Sequence, residues 1–130
     1  MKPFVAAGLG CRKGCLAEEI TALVRLALQE AGFELSALSG LFAPAFKQGE
    51  AGLAEAATRL GVPLVLIPQA ALEAAEPRVL TRSERVVALT GLGSVAETAA
   101  LAGAGPQSTL KRARIASANA TCAIAVREGG

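Results

Sequence analysis

The chain has 130 residues, of which 52% are apolar and 18% charged, and its formal net charge is +2 at pH 7. This length predicts one ordinary domain over residues 1–130, and the apolar content excludes a disordered polypeptide. The sequence contains no His, Trp, Tyr or Asp, which excludes Ser-His-Asp and Cys-His catalysis, His-ligated metals and an aromatic platform for single-stranded nucleic acid.

The apolar runs of the sequence predict neither a signal sequence nor a membrane span. The N-terminal apolar stretch from Phe4 to Gly10 is too short for a signal sequence, and no run approaches the ~18 apolar residues of a membrane span. The cysteines, which are Cys11, Cys15 and Cys122, are odd in number, and this argues against a disulfide framework. We therefore expect a cytoplasmic protein with no membrane partner, and the mild net charge predicts no nucleic-acid partner.

In chain order, the first half of the sequence predicts strands alternating with helices. The apolar run Phe4–Gly10 predicts a buried parallel strand. Apolar residues then recur at three- and four-residue steps from Leu16 to Ala31, which predicts a helix that ends at Gly32. The next expected elements are a strand over Leu41–Ala43 ended by Pro44, a helix over Glu50–Leu60 closed by Gly61, and a strand over Leu64–Ile67.

The second half predicts further helices and then a hairpin. A short helix is expected over Gln69–Glu76, ended by Pro77, and Ser83 as an N-cap favours another over Ser83–Leu89. Ser94 and Glu97 form an S-x-x-E capping box, which predicts a helix from there to about Gly103. The extended runs Thr109–Ala116 and Thr121–Arg127, joined by turn residues, predict a hairpin. The sum is a three-layer α/β domain with a mainly parallel sheet and a C-terminal antiparallel hairpin.

The first glycine loop, Gly8–Gly14, has the spacing G-x-G-x-x-x-G. This is one residue longer than the dinucleotide-binding pattern, and no acid stands at the end of a following strand to bind ribose. Backbone N–H groups before a helix, flanked by Arg12 and Lys13, would bind carboxylate or phosphate. Alternatively, the glycines serve a tight turn and close helix packing. The sequence leaves both interpretations open.

A second glycine loop, Gly91–Ser94, precedes the capped helix and offers the same anion-binding geometry. Cap formation alone also explains Ser94. Lys47 and Glu50 follow the second strand, where such a pair is either a solvated surface pair or part of the same cleft. Lys111 belongs to a basic cluster with Arg112 and Arg114, for which a role in solubility is the simplest interpretation; strand alternation would place Arg112 and Arg114 on one face.

Candidate reactive groups are few because His and Asp are missing. Cys11, near a predicted helix N-terminus and two cations, is a candidate nucleophile with a lowered pKa, or else a small packed residue. Cys11 and Cys15 lie four residues apart, but too few further soft ligands exist to predict a metal site. Glu50 and Glu97 are the candidate proton carriers.

Five motifs in order resemble the family formed by CobE and the C-terminal domain of CbiG, proteins of cobalamin biosynthesis. They are Gly8–Gly14, Lys47-x-x-Glu50-x-Gly52-Leu53, Gly91-x-Gly93-Ser94-Val95-Ala96-Glu97, Lys111, and Ala120-Thr121-x-Ala123-Ile124-Ala125. The set spans nearly the whole chain. Because the sequence opens directly on this module, it is more similar to the stand-alone form of the aerobic pathway.

The resemblance implies binding or processing of a precorrin near the ring-contraction and lactone-opening steps, and any catalysis would be hydrolase-like. It implies no cofactor, and other enzymes of the same pathway as further partners. The expected ligand-binding residues are Gly10, Arg12, Lys13, Gly14, Lys47, Gly91, Gly93, Ser94, Lys111 and Thr121, with Cys11, Glu50 and Glu97 as candidate catalytic residues. The alternatives are a nucleotide- or phosphate-ligand oxidoreductase domain and a non-catalytic docking module.

Overall fold

The computed structural model describes residues 2–82, 87 and 94–129, which form a five-stranded sheet covered by helices on both faces. The strands are β1 (Phe4–Cys11), β2 (Gly40–Pro44), β3 (Leu64–Ile67), β4 (Thr109–Ala116) and β5 (Ala120–Arg127). The helices are α1 (Ala17–Ala31), α2 (Ala51–Leu60), α3 (Gln69–Ala75) and α4 (Val95–Ala104), and short 3-10 turns occupy Leu35–Ala37, Ala45–Lys47 and Glu76–Arg78.

The strand order is β3-β2-β1-β5-β4, which puts the first strand at the centre. Strands β1, β2 and β3 pair in parallel, whereas β5 runs antiparallel to both β1 and β4. The hairpin therefore adds to the free edge of β1, with β5 as the inner strand. The expected fold class, a mainly parallel sheet with a C-terminal antiparallel hairpin, is confirmed.

The two faces of the sheet are covered by different helices, as the three-layer prediction requires. Val5, Ala7 and Leu9 of β1 face a core formed with α1 and α2, while Ala6 faces a second core formed with α3 and α4. This division follows from the period of two in a strand, which sends successive side chains to opposite faces. Both cores consist mainly of buried aliphatic side chains, with Cys15 and Cys122 in the first core and Phe42 in the second.

At Gly8, the backbone of β1 touches the backbone of α4. A Cβ atom added to Gly8 would lie 2.0 Å from the carbonyl oxygen of Ala96 and 2.4 Å from the amide nitrogen of Ala100. No side chain fits in that space, so this glycine is required for helix packing. Of the two interpretations of the first glycine loop, close helix packing therefore explains Gly8. Its backbone is covered by α4 and is not available for close approach to a pyrophosphate.

The helix ends agree with the predicted capping residues. Gly32 and Gly61 follow α1 and α2 in the left-handed conformation, with φ of 88° and 72°. Ser94 Oγ accepts a hydrogen bond of 3.2 Å from the N–H of Glu97 and so caps α4, as expected. The reciprocal bond, in which the Ser94 N–H would donate to the Glu97 carboxylate, is not found among the described residues, where that carboxylate accepts from Leu80, Thr81 and Arg114 instead.

Two details depart from the predicted boundaries or lie outside the described part. Pro44 is the last residue of β2 and pairs with Ile67, whereas the sequence predicted that the strand would stop at Ala43; a proline, which has no N–H, is tolerated at a strand end. The helix expected over residues 83–89 lies outside the described residues except for Val87, which is helical. Across residues 2–82, 87 and 94–129, no helix has both the length and the apolar character needed to span a membrane.

Candidate functional site

An open cavity of about 600 Å³ lies at the carboxyl end of β1. The turn after β2 borders it on one side and the β4–β5 turn on the other. Ligands of open α/β sheets bind at this edge, where neighbouring connections leave the sheet in different directions. The described residues lining the cavity are Gly10, Cys11, Arg12, Phe46, Lys47, Val95, Arg114, Ala116, Ser117, Ala118, Asn119, Ala120 and Thr121.

Cationic side chains give the cavity its charge. Arg12, Lys47 and Arg114 line it from three separate segments, and none of the described lining residues is acidic. None of these three side chains forms an ion pair within the described residues. Three cations around one hollow, with no ion pair in the described part of the chain, would favour an anionic ligand. Arginine in particular binds carboxylates through paired hydrogen bonds.

The same cavity has an apolar wall. Phe46, which is 55% exposed, lines the cavity together with the apolar residues Val95 and Ala116. An exposed aromatic ring at the rim of a cavity provides a flat apolar surface for a ligand to cover. Cationic and apolar groups together suit a ligand that combines a flat apolar body with acidic groups at its edge.

Backbone amides of the first glycine loop are largely occupied within the protein. The N–H of Arg12 donates to the carbonyl of Asn119 at 2.8 Å, and that of Cys15 donates to the carbonyl of Arg12 at 3.1 Å. The N–H of Gly14 donates to Glu50 Oε2 at 3.1 Å. Because these donors are used, the loop backbone at Arg12, Gly14 and Cys15 offers no free N–H group to an anion, and only side chains remain for that role there.

Glu19, in the first turn of α1, holds the β4–β5 turn that forms one wall of the cavity. Its carboxylate accepts hydrogen bonds from Ser117 Oγ, from Asn119 N at 2.7 Å and from Asn119 Nδ2 at 3.0 Å. The bond from Ser117, followed by those from Asn119, lowers the pKa of Glu19 below its ordinary value. Glu19 and Asn119, which are 100 positions apart in sequence, thus fix the β4–β5 turn as one wall of the cavity.

We expect Glu19→Gln to loosen this turn, because an amide cannot accept from all three donors. The Asn119 amide should exchange with solvent roughly threefold to tenfold faster at pH 6.5, measured by NMR. Because the pKa of Glu19 is lowered on folding, its carboxylate stabilises the wild-type turn fully above about pH 4.5. This stabilisation is lost as the pH falls through the lower pKa of the folded protein. The Glu18→Gln variant, on the same helix but exposed, is the control; equal exchange in both variants would contradict the prediction.

Cys11 lines the cavity, but its thiol is not activated. Burial raises its pKa above the ordinary value; nearby Lys47 lowers it only in part, and Glu50 adds to the rise. The expected lowering of this pKa is therefore wrong. The helix predicted next to Cys11 also starts farther along the chain, because Cys11 ends β1 while α1 begins only at Ala17. Burial raises the pKa of Cys15 to about 11 and that of Cys122 to about 12.

Alkylation should report this protonated state. We expect Cys11 to react with iodoacetamide at pH 7.5 at least about threefold more slowly than a free cysteine, with a rate that still rises above pH 9. Lys47→Gln should slow the reaction further, because it removes the nearby positive charge. Mass spectrometry measures the rate, with Cys11→Ser as the blank. A rate that reaches its plateau below pH 8 would show that the thiol is activated after all.

The other two candidate proton carriers lie outside the cavity lining. Glu50 is half-buried at the start of α2 and accepts the Gly14 amide. Glu97 is fully buried and accepts backbone N–H groups at Leu80, Thr81 and Arg114. Both carboxylates support the surrounding backbone, and of the three predicted catalytic residues only Cys11 lines the cavity.

The structure brings together four of the ten predicted ligand-binding residues. Gly10, Arg12, Lys47 and Thr121 line the cavity. The remaining described members do not line it: Lys13 and Lys111 are exposed elsewhere, Gly14 supports the loop turn with φ of +79°, and Ser94 is a buried helix cap. Gly91 and Gly93 lie outside the described residues. Within the described ranges, no group of three or more metal-ligating side chains is found.

Among the lining residues that the sequence analysis did not assign to the site, Arg114 and Phe46 have the largest chemical consequence. Arg114 was assigned to a surface cluster with Arg112, but Arg112 forms an ion pair with Glu30 on α1 whereas Arg114 lines the cavity. The sequence does contain a feature that could have identified Phe46. It directly precedes the candidate cation Lys47 in the turn after β2, and such turns lie at the ligand-binding edge of a parallel sheet. No comparable signal marks Arg114.

The fold and cavity define a small α/β domain with a cationic cleft at the carboxyl edge of its sheet. The sequence profile of the family described as "Cobalamin synthesis G C-terminus" matches residues 5–125. The chain belongs to this family, which joins CobE and the C-terminal domain of CbiG, and it is a protein of cobalamin biosynthesis. The resemblance stated from the five motifs is thereby confirmed.

Individual relatives agree with this membership. The chain is 40% identical to Protein CobE of Sinorhizobium sp over 118 residues, covering 91% of this chain and 77% of that protein. It is 30% identical to Cobalt-precorrin-5A hydrolase of Priestia megaterium over 122 residues, covering 94% of this chain but only 32% of the hydrolase. The crystal structure of CobE, a protein from the cobalamin (vitamin B12) biosynthetic pathway, superposes with a TM-score of 0.90 at 36% identity, covering 98% of this chain and 93% of that one.

Proposed function

We propose that the cavity binds a precorrin, a tetrapyrrole whose rim carries acetate and propionate groups. The observation that carries this proposal is the convergence of Arg12, Lys47 and Arg114 on one open cavity without an acidic lining residue among those described. Charge-assisted hydrogen bonds from these cations to ligand carboxylates would supply affinity and orientation. Membership in a cobalamin-biosynthesis family supports a tetrapyrrole as the anionic ligand.

The apolar wall supports the same ligand. The face of Phe46 and the small residues Ala116 and Ala118 would let a flat ring lie close to the protein. Such a ligand covers apolar surface with its body while its acidic rim reaches the cations. A small inorganic anion would use the charges but leave the exposed ring of Phe46 uncovered.

We further propose that the ligand is an intermediate near ring contraction and lactone opening in the aerobic pathway, in a cytoplasmic setting with other enzymes of the pathway as partners. The named activity of the Priestia megaterium relative supports this step, although the chain spans about a third of that relative. The free cysteines suit a reducing compartment. Since the thiol of Cys11 is held protonated, the site supports ligand binding more directly than nucleophilic catalysis.

Capture from cells tests the proposal. The protein, purified from cells that accumulate precorrins, should carry a tetrapyrrole absorption spectrum, which is easily seen because the chain has no Trp or Tyr. Binding should also weaken with added salt, because the proposed contacts are ionic. A colourless protein that is instead retained on a nucleotide column would contradict the proposal and favour a phosphate-ligand domain. A colourless protein that binds neither would favour a docking module.

A matched pair of stable corrins separates charge from shape. Dicyanocobyrinic acid carries free carboxylates, whereas dicyanocobinamide has the same ring with amides in place of the acids. We expect the acid to bind at least about tenfold more tightly, since each charge-assisted hydrogen bond contributes roughly 1.5–3 kcal/mol. Equal affinity for the two, or binding of neither, would contradict the proposed carboxylate recognition.

A further inference from the structure

We infer that Arg114 is a carboxylate-binding residue of the cavity and that the buried Glu97 positions it by bonding to the backbone of a β-bulge. This inference rests on the proposed function and deepens it. It assigns a third cationic contact and a positioning residue, neither of which belongs to a recognisable sequence motif for such a role.

The bulge is visible in the register of β4 against β5. Arg112 pairs with Ile124 and Ile115 pairs with Cys122, so β4 advances three residues while β5 advances two. One residue of β4 is therefore extra, and its backbone N–H has no partner in the ladder. The bulge changes the direction of the following side chain: Arg112 reaches Glu30 on α1, whereas Arg114 lines the cavity.

Glu97 supplies the missing acceptor. Its Oε2 accepts the N–H of Arg114 at 2.8 Å. Its Oε1 accepts the N–H groups of Leu80 at 2.7 Å and Thr81 at 2.9 Å. The side chain is 0% exposed, and a buried carboxylate is tolerated only when hydrogen bonds satisfy it. The donors of these three hydrogen bonds are backbone N–H groups, so the Glu97 carboxylate holds the backbone at Leu80, Thr81 and Arg114.

An ionised carboxylate is required for this arrangement. Burial acts to raise the pKa of Glu97, but the hydrogen bonds from Arg114, Thr81 and Leu80 outweigh it, and the pKa lies below its ordinary value. Glutamine has the same shape but only one acceptor oxygen. Glu97→Gln would therefore place an NH₂ group against either the Arg114 amide or the amides of Leu80 and Thr81.

The consequence for binding is a defined direction for the guanidinium of Arg114. This side chain has no ion-pair partner within the described residues. A planar guanidinium recognises a carboxylate through two parallel hydrogen bonds and so depends on its orientation. A backbone fixed at the bulge limits the orientations open to the side chain before the ligand arrives.

The test compares dicyanocobyrinic acid with dicyanocobinamide in three variants. Arg114→Gln should weaken binding of the acid roughly tenfold or more and change cobinamide affinity by less than about threefold. Glu97→Gln should weaken acid binding by a similar factor while sparing cobinamide. The double variant should bind the acid no more weakly than Arg114→Gln alone, because both changes remove the same contact.

Several outcomes would overturn the inference. If the losses of affinity for the acid add in the double variant, Glu97 acts only through general stability. The same conclusion holds if Glu97→Gln weakens binding of both probes equally. If Glu97→Gln does not fold, the wild-type protein decides: the Arg114 amide should be protected from hydrogen exchange at neutral pH, and free exchange would contradict the inference. Failure of the wild type to prefer the acid contradicts the proposed function itself, while amide protection still tests the Glu97 contact.

Discussion

Gly8→Ala should destabilise the protein by about 3 kcal/mol or more, at or above the upper end of the usual range for overpacking a core. The added Cβ would lie 2.0 Å from the Ala96 carbonyl oxygen and 2.4 Å from the Ala100 amide nitrogen. Both neighbours are helix backbone, so α4 must move as a unit away from β1. For a domain of this length, the loss corresponds to a fall in Tm of roughly 10 °C, followed by circular dichroism.

Gly40→Ala is the matched control for this prediction. Gly40 lies in β2 and pairs with Ala6 of β1, so it belongs to the same buried region of the sheet. A Cβ there would lie 3.3–3.4 Å from the Phe42 ring and the Pro63 carbonyl oxygen, which small adjustments relieve. We expect Tm to change by less than ~3 °C. Similar Tm losses in both variants would show that the approach of α4 to β1 is not the cause.

Removing two cavity cations together should abolish most of the affinity for an acidic corrin. In the double variant Arg12→Gln, Lys47→Gln, we expect the Kd for dicyanocobyrinic acid to rise on the order of 100-fold, since each lost charge-assisted contact contributes roughly 1.5–3 kcal/mol. Titration followed by absorbance measures the change. The melting temperature should stay close to that of the wild type, because neither side chain forms an ion pair within the described residues.

The double variant Lys13→Gln, Lys111→Gln removes the same net charge from outside the cavity and is therefore the control. Both lysines are exposed, and neither lines the cavity. At physiological salt, where the Debye length is about 8 Å, we expect their removal to change affinity by less than ~3-fold. If this control loses as much affinity as the cavity variant, then recognition depends on overall charge, and the cavity assignment is wrong.

Much of the fold was predictable because its signals are local. The helical spacing from Leu16 to Ala31, the capping of α4 by Ser94 and the turn before β5 each depend on residues close in sequence. Periodicity fixes which side chains face a core, and capping residues fix where helices begin and end. The fold class and the carboxyl-edge location of the site follow from these local elements.

The individual site residues were less predictable. Lys13 follows Arg12 directly, yet Arg12 lines the cavity and Lys13 does not. Glu97 was interpreted through its capping motif, but its carboxylate reaches Arg114 across 17 positions. The pKa of Cys11 depends on burial and on the charges of Lys47 and Glu50, none of which the glycine-loop motif displays.

The amino-acid sequence by itself determined the α/β class, the strand and helix order, the family and the presence of cations near the ends of β1 and β2. Tertiary structure alone decided which cations share one cavity, that Gly8 serves packing, and that Glu19 and Glu97 hold the walls. The physical reason is the sequence separation over which each effect acts. Propensity and periodicity act over a few neighbouring residues, whereas the cavity is built from contacts that span up to 100 positions and from a bulge whose register only a folded partner strand defines.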